Sequence, residues 1–357
     1  MRGYSKGDNG YSLLELVVTL AIFGIISAMM FGTFTVVQRQ VALTSSDNSL
    51  AAKGERILSF MEEDIRMIGY LLGPDARIPY CTGSTVPPVA PNVLTHTSST
   101  PYDTLQFLTS QPVMINESAA CFNNQQLLNG GGAPSDYFLT TVGDTLAGNN
   151  SLNIDAESSC YDDISSDAGR SLITFDSLLL SAATIAGSAP QLYYQVDSLQ
   201  GTSVTLTKVL EQNVPRNSTV YGIRQYKYSV NTIGVKRDLV RSSWDKSCGE
   251  DPVKLIASSN SSNSAGGVDG FKVEFTFLDT INNVLVTQAT LPPLTQLKTV
   301  TVWLLVRSDR IDNGYTDRAT YILGRTADKI TRGPFNDHYR RLLLTKTIEV
   351  KNLVFFN

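Results

Sequence analysis

Histidine is almost missing from this chain: of 357 residues only His96 and His338 carry an imidazole, and they stand far apart in sequence. A histidine-based acid–base centre or a histidine-rich metal site therefore has little to be built from. A basic excess is missing too. With 29 Lys plus Arg against 33 Asp plus Glu the formal charge is -4, so no global field favours nucleic acid or an anionic membrane surface. No C-x-x-C, H-E-x-x-H, G-x-S-x-G, P-loop or dinucleotide glycine fingerprint occurs. These absences point away from an enzyme, and no catalytic residue, metal, cofactor or small-molecule substrate is expected.

Charge is absent altogether from residues 16–37, a run of 22 positions. About 20 helical residues cross a ~30 Å hydrocarbon core, so this run is read as a membrane segment. The first ten residues, MRGYSKGDNG, are polar, carry Arg2 and Lys6, and end on a glycine, with Tyr11 next. A secretory signal is cut beyond its apolar region and loses it, whereas a cut after Gly10 leaves the apolar region on the mature protein. Glu15 is the second anomaly, because a carboxylate just inside an apolar helix costs a few kcal/mol in lipid unless it is paired. Cleavage between Gly10 and Tyr11 creates an α-amino group one helical turn away, which in an assembly can pair with Glu15 of a neighbouring subunit. An uncleaved signal anchor is the plainer reading of the same residues.

The stretch Gly10-Tyr-Ser-Leu-Leu-Glu15-Leu-Val-Val-Thr-Leu resembles the processing site of type IV prepilins and type II secretion pseudopilins. The resemblance implies a prepilin peptidase that cuts after Gly10 and methylates the new N-terminus at Tyr11, where the family more often has phenylalanine. It also implies that Glu15 guides subunit docking. The segment Phe60-Met-Glu-Glu-Asp-Ile-Arg-Met-Ile-Gly-Tyr70 resembles minor pilins of the PilW type. So do Tyr226-Lys-Tyr-Ser-Val with Asp238-Leu-Val-Arg241, the run Val300-Thr-Val-Trp-Leu-Leu-Val-Arg307, and the ending from Arg340 to Asn352.

Leu50, Gly54, Ile57, Met61, Ile65 and Ile68 recur at steps of three and four, so one long helix is predicted from Tyr11 to about Tyr70, with Gly73-Pro74 as its stop. Beyond it the pattern changes to period two. Residues 271–277 alternate apolar and polar, which predicts a strand with one buried and one wet face. Similar runs lie at 192–197, 204–210, 220–230, 300–307 and 346–354, while 81–101, 129–136 and 257–267 read as loops. With no long helices between the strands, the sheets are expected to be largely antiparallel. The fold class is α+β: a long N-terminal helix, membrane-embedded in its first half, packed on a β-rich head. The predicted divisions are a leader at 1–10, a transmembrane or filament-core half-helix at 11–37, an amphipathic half-helix at 38–72, and a globular head outside the cytoplasm at 73–357.

Cys81, Cys121, Cys160 and Cys248 all follow the membrane run, an even count that suits disulfides in an oxidising compartment. Four cysteines allow three pairings; the sequence-neighbour one, Cys81 with Cys121 and Cys160 with Cys248, would close loops of about 40 residues or more and add roughly 4 kcal/mol each. Acidic residues gather at Asp155, Glu157, Asp162, Asp163 and Asp167, and again over 309–317, without EF-hand spacing, so solvated loops are expected. Lys236, Arg237, Arg241, Arg340 and Arg341 form short basic spots. These are read as solvated surface, with a DNA-uptake pilin as the alternative.

The resemblance implies a non-catalytic minor pilin that helps initiate, prime or cap a type IV pilus. Its partners would be the prepilin peptidase, other minor and major pilins, and the assembly machinery of the bacterial inner membrane. The protein would sit in that membrane as a precursor and then in the filament, with its head in the periplasm or outside the cell. A type II secretion pseudopilin shares the same N-terminal physics, and a membrane-anchored periplasmic enzyme is the reading from another class.

Overall fold

The computed structural model describes residues 13–69, 94–99, 101–113, 138–155, 172–175, 194–233, 236–244, 250–256, 266–279, 281–289 and 297–350. Helix α1 runs through Leu13–Arg66, 54 residues. The chain divides into two compact units, Met1–Ala52 and Lys53–Asn357, so the last turns of α1 belong to the second.

In the first unit the helix is long and apolar enough to cross a membrane. Its threonines do not break it, because their hydroxyls donate back to the helix carbonyls. Thr33 reaches Met29 at 2.7 Å, Thr35 reaches Gly32 at 2.8 Å, and Thr19 bonds the Glu15 carbonyl. Hydroxyl donors satisfied this way need no water, which suits a helix in lipid.

The second unit holds the strands: β1 (Leu94–Thr97), β2 (Thr104–Pro112), β3 (Ser151–Asn153), β4 (Leu172–Phe175), β5 (Tyr194–Gln200), β6 (Ser203–Leu206), β7 (Val220–Ile233), β8 (Lys236–Trp244), β9 (Glu250–Ile256), β10 (Val268–Asp279), β11 (Val284–Gln288), β12 (Leu297–Ile311), β13 (Tyr321–Leu323), β14 (Ile330–Arg332) and β15 (Tyr339–Glu349). A nine-stranded sheet has the order β1-β2-β7-β4-β5-β6-β3, with β8 beside β7 and β9 beside β8. A four-stranded sheet runs β11-β10-β12-β15, and β13 pairs β14. Every strand pairing among the described residues is antiparallel. The α+β class and the antiparallel sheets are as expected from the sequence.

The last turns of α1 close over both sheets. Gly54 meets the four-stranded one: a Cβ there would lie 2.0 Å from Leu344 Cδ1 and 3.3 Å from Val306 Cγ2, so the glycine is what lets the helix come that near. Met61, Ile65 and Ile68 are wholly buried, as their spacing predicts. The helix stops at Arg66, short of Tyr70. The described part of β1 pairs β2 from Thr104 to Phe107, and beyond it the chain after Arg66 lies along β2, where Ile68 bridges Thr109 and the Gly69 N–H donates to Leu108 O at 2.9 Å. Pairing with a free strand edge wins over continuing the helix, and Gly69 allows the turn with φ of 68°.

Three expectations need correction. Residues 94–97, placed in a loop by their Thr and Ser content, form β1, because Leu94 is fully buried and anchors it. The polar face of β10 is not wet: Lys272 and Glu274 are buried, each with polar partners from another segment. The final strand starts at Tyr339 rather than near residue 346, so the Arg340-Arg-Leu-Leu-Leu run is itself strand. The loops expected at 129–136 and at 257–265 lie outside the described residues.

Candidate functional site

Two places carry the chemistry that a function could use: the apolar helix of the first unit and the charged contacts that fasten α1 within the second.

Along the helix every large apolar side chain from Leu13 to Val41 that the structure describes as exposed is substantially so, from Leu13 at 83% to Val18 at 49%. Such a surface in water is costly at roughly 25 cal/mol per Å², so it must be covered by lipid or by other helices. Glu15 sits in the first turn, where the positive end of the helix dipole favours a carboxylate. The structure thus places Glu15 at the head of the apolar surface. Gly10 and Tyr11, the expected cleavage and methylation positions, lie outside the described residues, as do Cys81, Cys121, Cys160 and Cys248.

Sequence reasoning missed the charged fastening. Asp64 accepts two hydrogen bonds from Arg241, at 2.7 and 3.0 Å, and one from the Tyr228 hydroxyl at 2.5 Å, so α1, β8 and β7 meet at one carboxylate. The guanidinium lies 3.8 Å from the Tyr226 ring centroid and 4.9 Å from that of Phe60. Burial works against the Arg241 charge, but the Asp64 hydrogen bonds and charge outweigh it and raise its pKa. Burial and then the Asp64 charge push the Tyr228 hydroxyl well above the ordinary tyrosine range. Arg241 was read as solvated surface and is instead an internal counter-ion. The signal was present as an Asp on the helix stripe and an Arg in a strand, but nothing in their spacing pairs positions 177 residues apart.

The same holds further along. Arg341 donates to Asp269 at 2.5 Å, to Asp317 at 2.8 Å and to Asp337 at 2.6 and 2.7 Å, with Asp269 and Asp317 fully buried. Arg237 adds a 2.5 Å contact to Asp269, and Arg340 pairs Asp312 at 3.0 Å. Asp317 also accepts from the Tyr315 and Tyr321 hydroxyls and from the Ala319 N–H. Asp155 is buried as well and accepts from Thr140 N–H and hydroxyl at 2.9 and 2.8 Å. Both acidic stretches therefore include internal structural carboxylates, not only solvated loop. The side chain of His96, on β1, is turned inward and only 2% exposed, and Asp103 lies 3.0 Å from its Nε2.

Two carboxylates give a pH dependence. The Lys346 hydrogen bond holds Glu62 below the usual carboxylate range, and at Asp337 burial acts in the other direction but hydrogen bonds from Arg341 prevail and lower it. A lowered folded pKa contributes stability that is present above the unfolded value near ~4 and is lost as pH falls through the folded value. Stepped-pH thermal melts in detergent are therefore expected to show the melting temperature dropping below about pH 4, with Asp337→Asn reducing the slope. A profile flat from neutral to strongly acidic pH would contradict these pairings.

Two family descriptions match the sequence. Type IV Pilus-assembly protein W matches residues 220–352, which spans β7 to β15. The prokaryotic N-terminal methylation motif matches residues 5–31, which takes in Gly10, Tyr11 and Glu15. No curated protein and no solved structure matches the chain.

Proposed function

From a chain that is PilW-like in its C-terminal strands and type IV pilin-like at its N-terminus, we propose a minor pilin that helps initiate, prime or cap a type IV pilus. The two family matches support a type IV pilus-related minor pilin, and on this reading the apolar helix is its inner-membrane anchor and other pilins and the assembly machinery are its partners. Pilin and PilW families are generally structural rather than catalytic.

The observation that carries the finer reading is an apolar helix left uncovered from Leu13 to Val41, headed by a carboxylate. Lipid covers such a surface before assembly and neighbouring helices cover it afterwards. Cleavage after Gly10 would free the Tyr11 amino group, methylation would follow there, and Glu15 would select the axial position of the incoming subunit by pairing with a neighbour's terminus. The four cysteines would close disulfides in the oxidising compartment that the head enters.

Glu15→Ala tests the docking role. Alanine favours the helix and lipid, so cleavage, membrane level and head folding are expected to be unchanged. Recovery of the variant in sheared filaments, or in pulldowns with other minor pilins, is expected to fall about tenfold or more, as loss of a ~1.4 kcal/mol interaction would give. Wild-type recovery from a strain lacking the native gene would remove Glu15 from docking.

A further inference from the structure

Lys272 on β10 is fully buried, its Nζ lies 3.4 Å from Oδ2 of the fully buried Asp103, and His96 Nε2 touches the same oxygen at 3.0 Å. We propose that Lys272 and Asp103 become joined by an intramolecular amide between Nζ and Cγ, with His96 as the proton relay.

Each atom of the carboxyl group is held differently. Oδ1 accepts the Ser99 N–H at 3.3 Å, while Oδ2 accepts the Val273 N–H at 2.9 Å and faces both Lys272 and His96. The backbone fixes the acid as well, because the Asp103 N–H donates to Phe271 O at 2.9 Å. Lys272 Nζ donates to Ser98 Oγ at 3.1 Å, which pins the amine beside the carboxyl group. The His96 ring is set edge-on against Phe275, 5.1 Å between centroids. A pair held this closely, with water excluded, reacts as one molecule rather than two.

An ammonium and a carboxylate out of water are costly, and moving one proton from Nζ to Oδ2 turns them into a neutral amine and a neutral acid. The nitrogen lone pair then attacks Cγ, the C–N bond forms, and Oδ1 takes the negative charge opposite the Ser99 N–H. A second nitrogen proton passes through His96 Nε2 to Oδ2, the Cγ–Oδ2 bond breaks, and Oδ2 leaves as water with both protons. Positive and negative charge vanish together, so no oxidant, cofactor or other reactant is needed. Ser98 lines an open cavity with residues 328–331, which gives the water a way out.

The bond would tie the connection between β1 and β2 of the nine-stranded sheet to β10 of the four-stranded sheet. In a filament subunit, and resting on that reading, it would keep the two sheets from parting under load.

The test is made on full-length protein extracted from membranes in detergent, then denatured, reduced, digested and weighed by mass spectrometry. The Lys272 and Asp103 peptides are expected as one linked species, lighter by one water than their sum, and absent from Lys272→Arg and Asp103→Ala. His96→Gln is expected to slow its accumulation at least tenfold. A link forming at the wild-type rate in that variant overturns the relay. Because the variants can fail to fold, wild type decides the bond itself: protein that melts cooperatively and yields both peptides free leaves only a buried ion pair and overturns the proposal.

Discussion

Arg341→Met is expected to destabilise the head by about 3–5 kcal/mol, the cost of leaving a buried charge without its partner. The side chain forks between Asp269, Asp317 and Asp337 while stacking 3.6 Å from the Phe335 ring centroid. Methionine keeps the volume against Phe335 but not the charge. Asp269 retains Arg237 at 2.5 Å, so the loss falls mainly on Asp317, whose remaining donors among the described residues are neutral, such as the Tyr321 hydroxyl. Total stabilities of about 5–15 kcal/mol make this a large fraction of what holds the head folded. Lys53→Ala is the internal control, because its pair with Asp309 is 33% and 63% exposed and such pairs contribute about 0–1 kcal/mol. Denaturant midpoints in detergent measure both variants. If Arg341→Met lies as close to wild type as Lys53→Ala does, the buried cluster is not holding the fold.

The contrast between these two arginine and lysine sites marks where sequence reading succeeds. Met61, Ile65 and Ile68 were legible as a buried stripe because helix period is a local property, and the strand at residues 300–307 was legible because its apolar, β-branched content is local too. The partners of Asp64, Asp317 and Lys272 were not, since each contact joins segments far apart in the chain and a charged residue in isolation reads as surface. β1 was hidden for the related reason that four residues rich in threonine carry too short a pattern, and only pairing with β2 makes them a strand. The N-terminal site is the reverse case. Glu15 stands out in the sequence because residues 16–37 after it carry no charge, and the structure adds that the apolar side chains behind it are exposed.

Gly10→Val is expected to abolish maturation outright. A glycine at the end of the polar leader leaves the backbone open to a protease, with no side chain to be accommodated beside the cut bond, and valine puts a branched carbon there. The change lies outside the apolar run, so the helix still has its full length for the membrane, and it lies outside Lys53–Asn357, so the head keeps its own contacts. The protein is therefore expected to accumulate as a membrane-bound precursor with normal melting behaviour. Without the cut there is no Tyr11 amino group near Glu15, and the polar leader with Arg2 and Lys6 stays attached to a segment that would have to enter the filament core. Intact mass of membrane protein measures the cut, and recovery in sheared filaments measures its consequence. Wild type is expected to begin at Tyr11 and to enter filaments, and Gly10→Val to retain Met1 or Arg2 and fall to background in the filament fraction. Gly10→Ala, which adds a single methyl group, is expected to be processed slowly rather than not at all. Wild-type protein that keeps its leader beside an active prepilin peptidase would leave the helix as a plain membrane anchor, and Glu15 would then have no terminus to pair with.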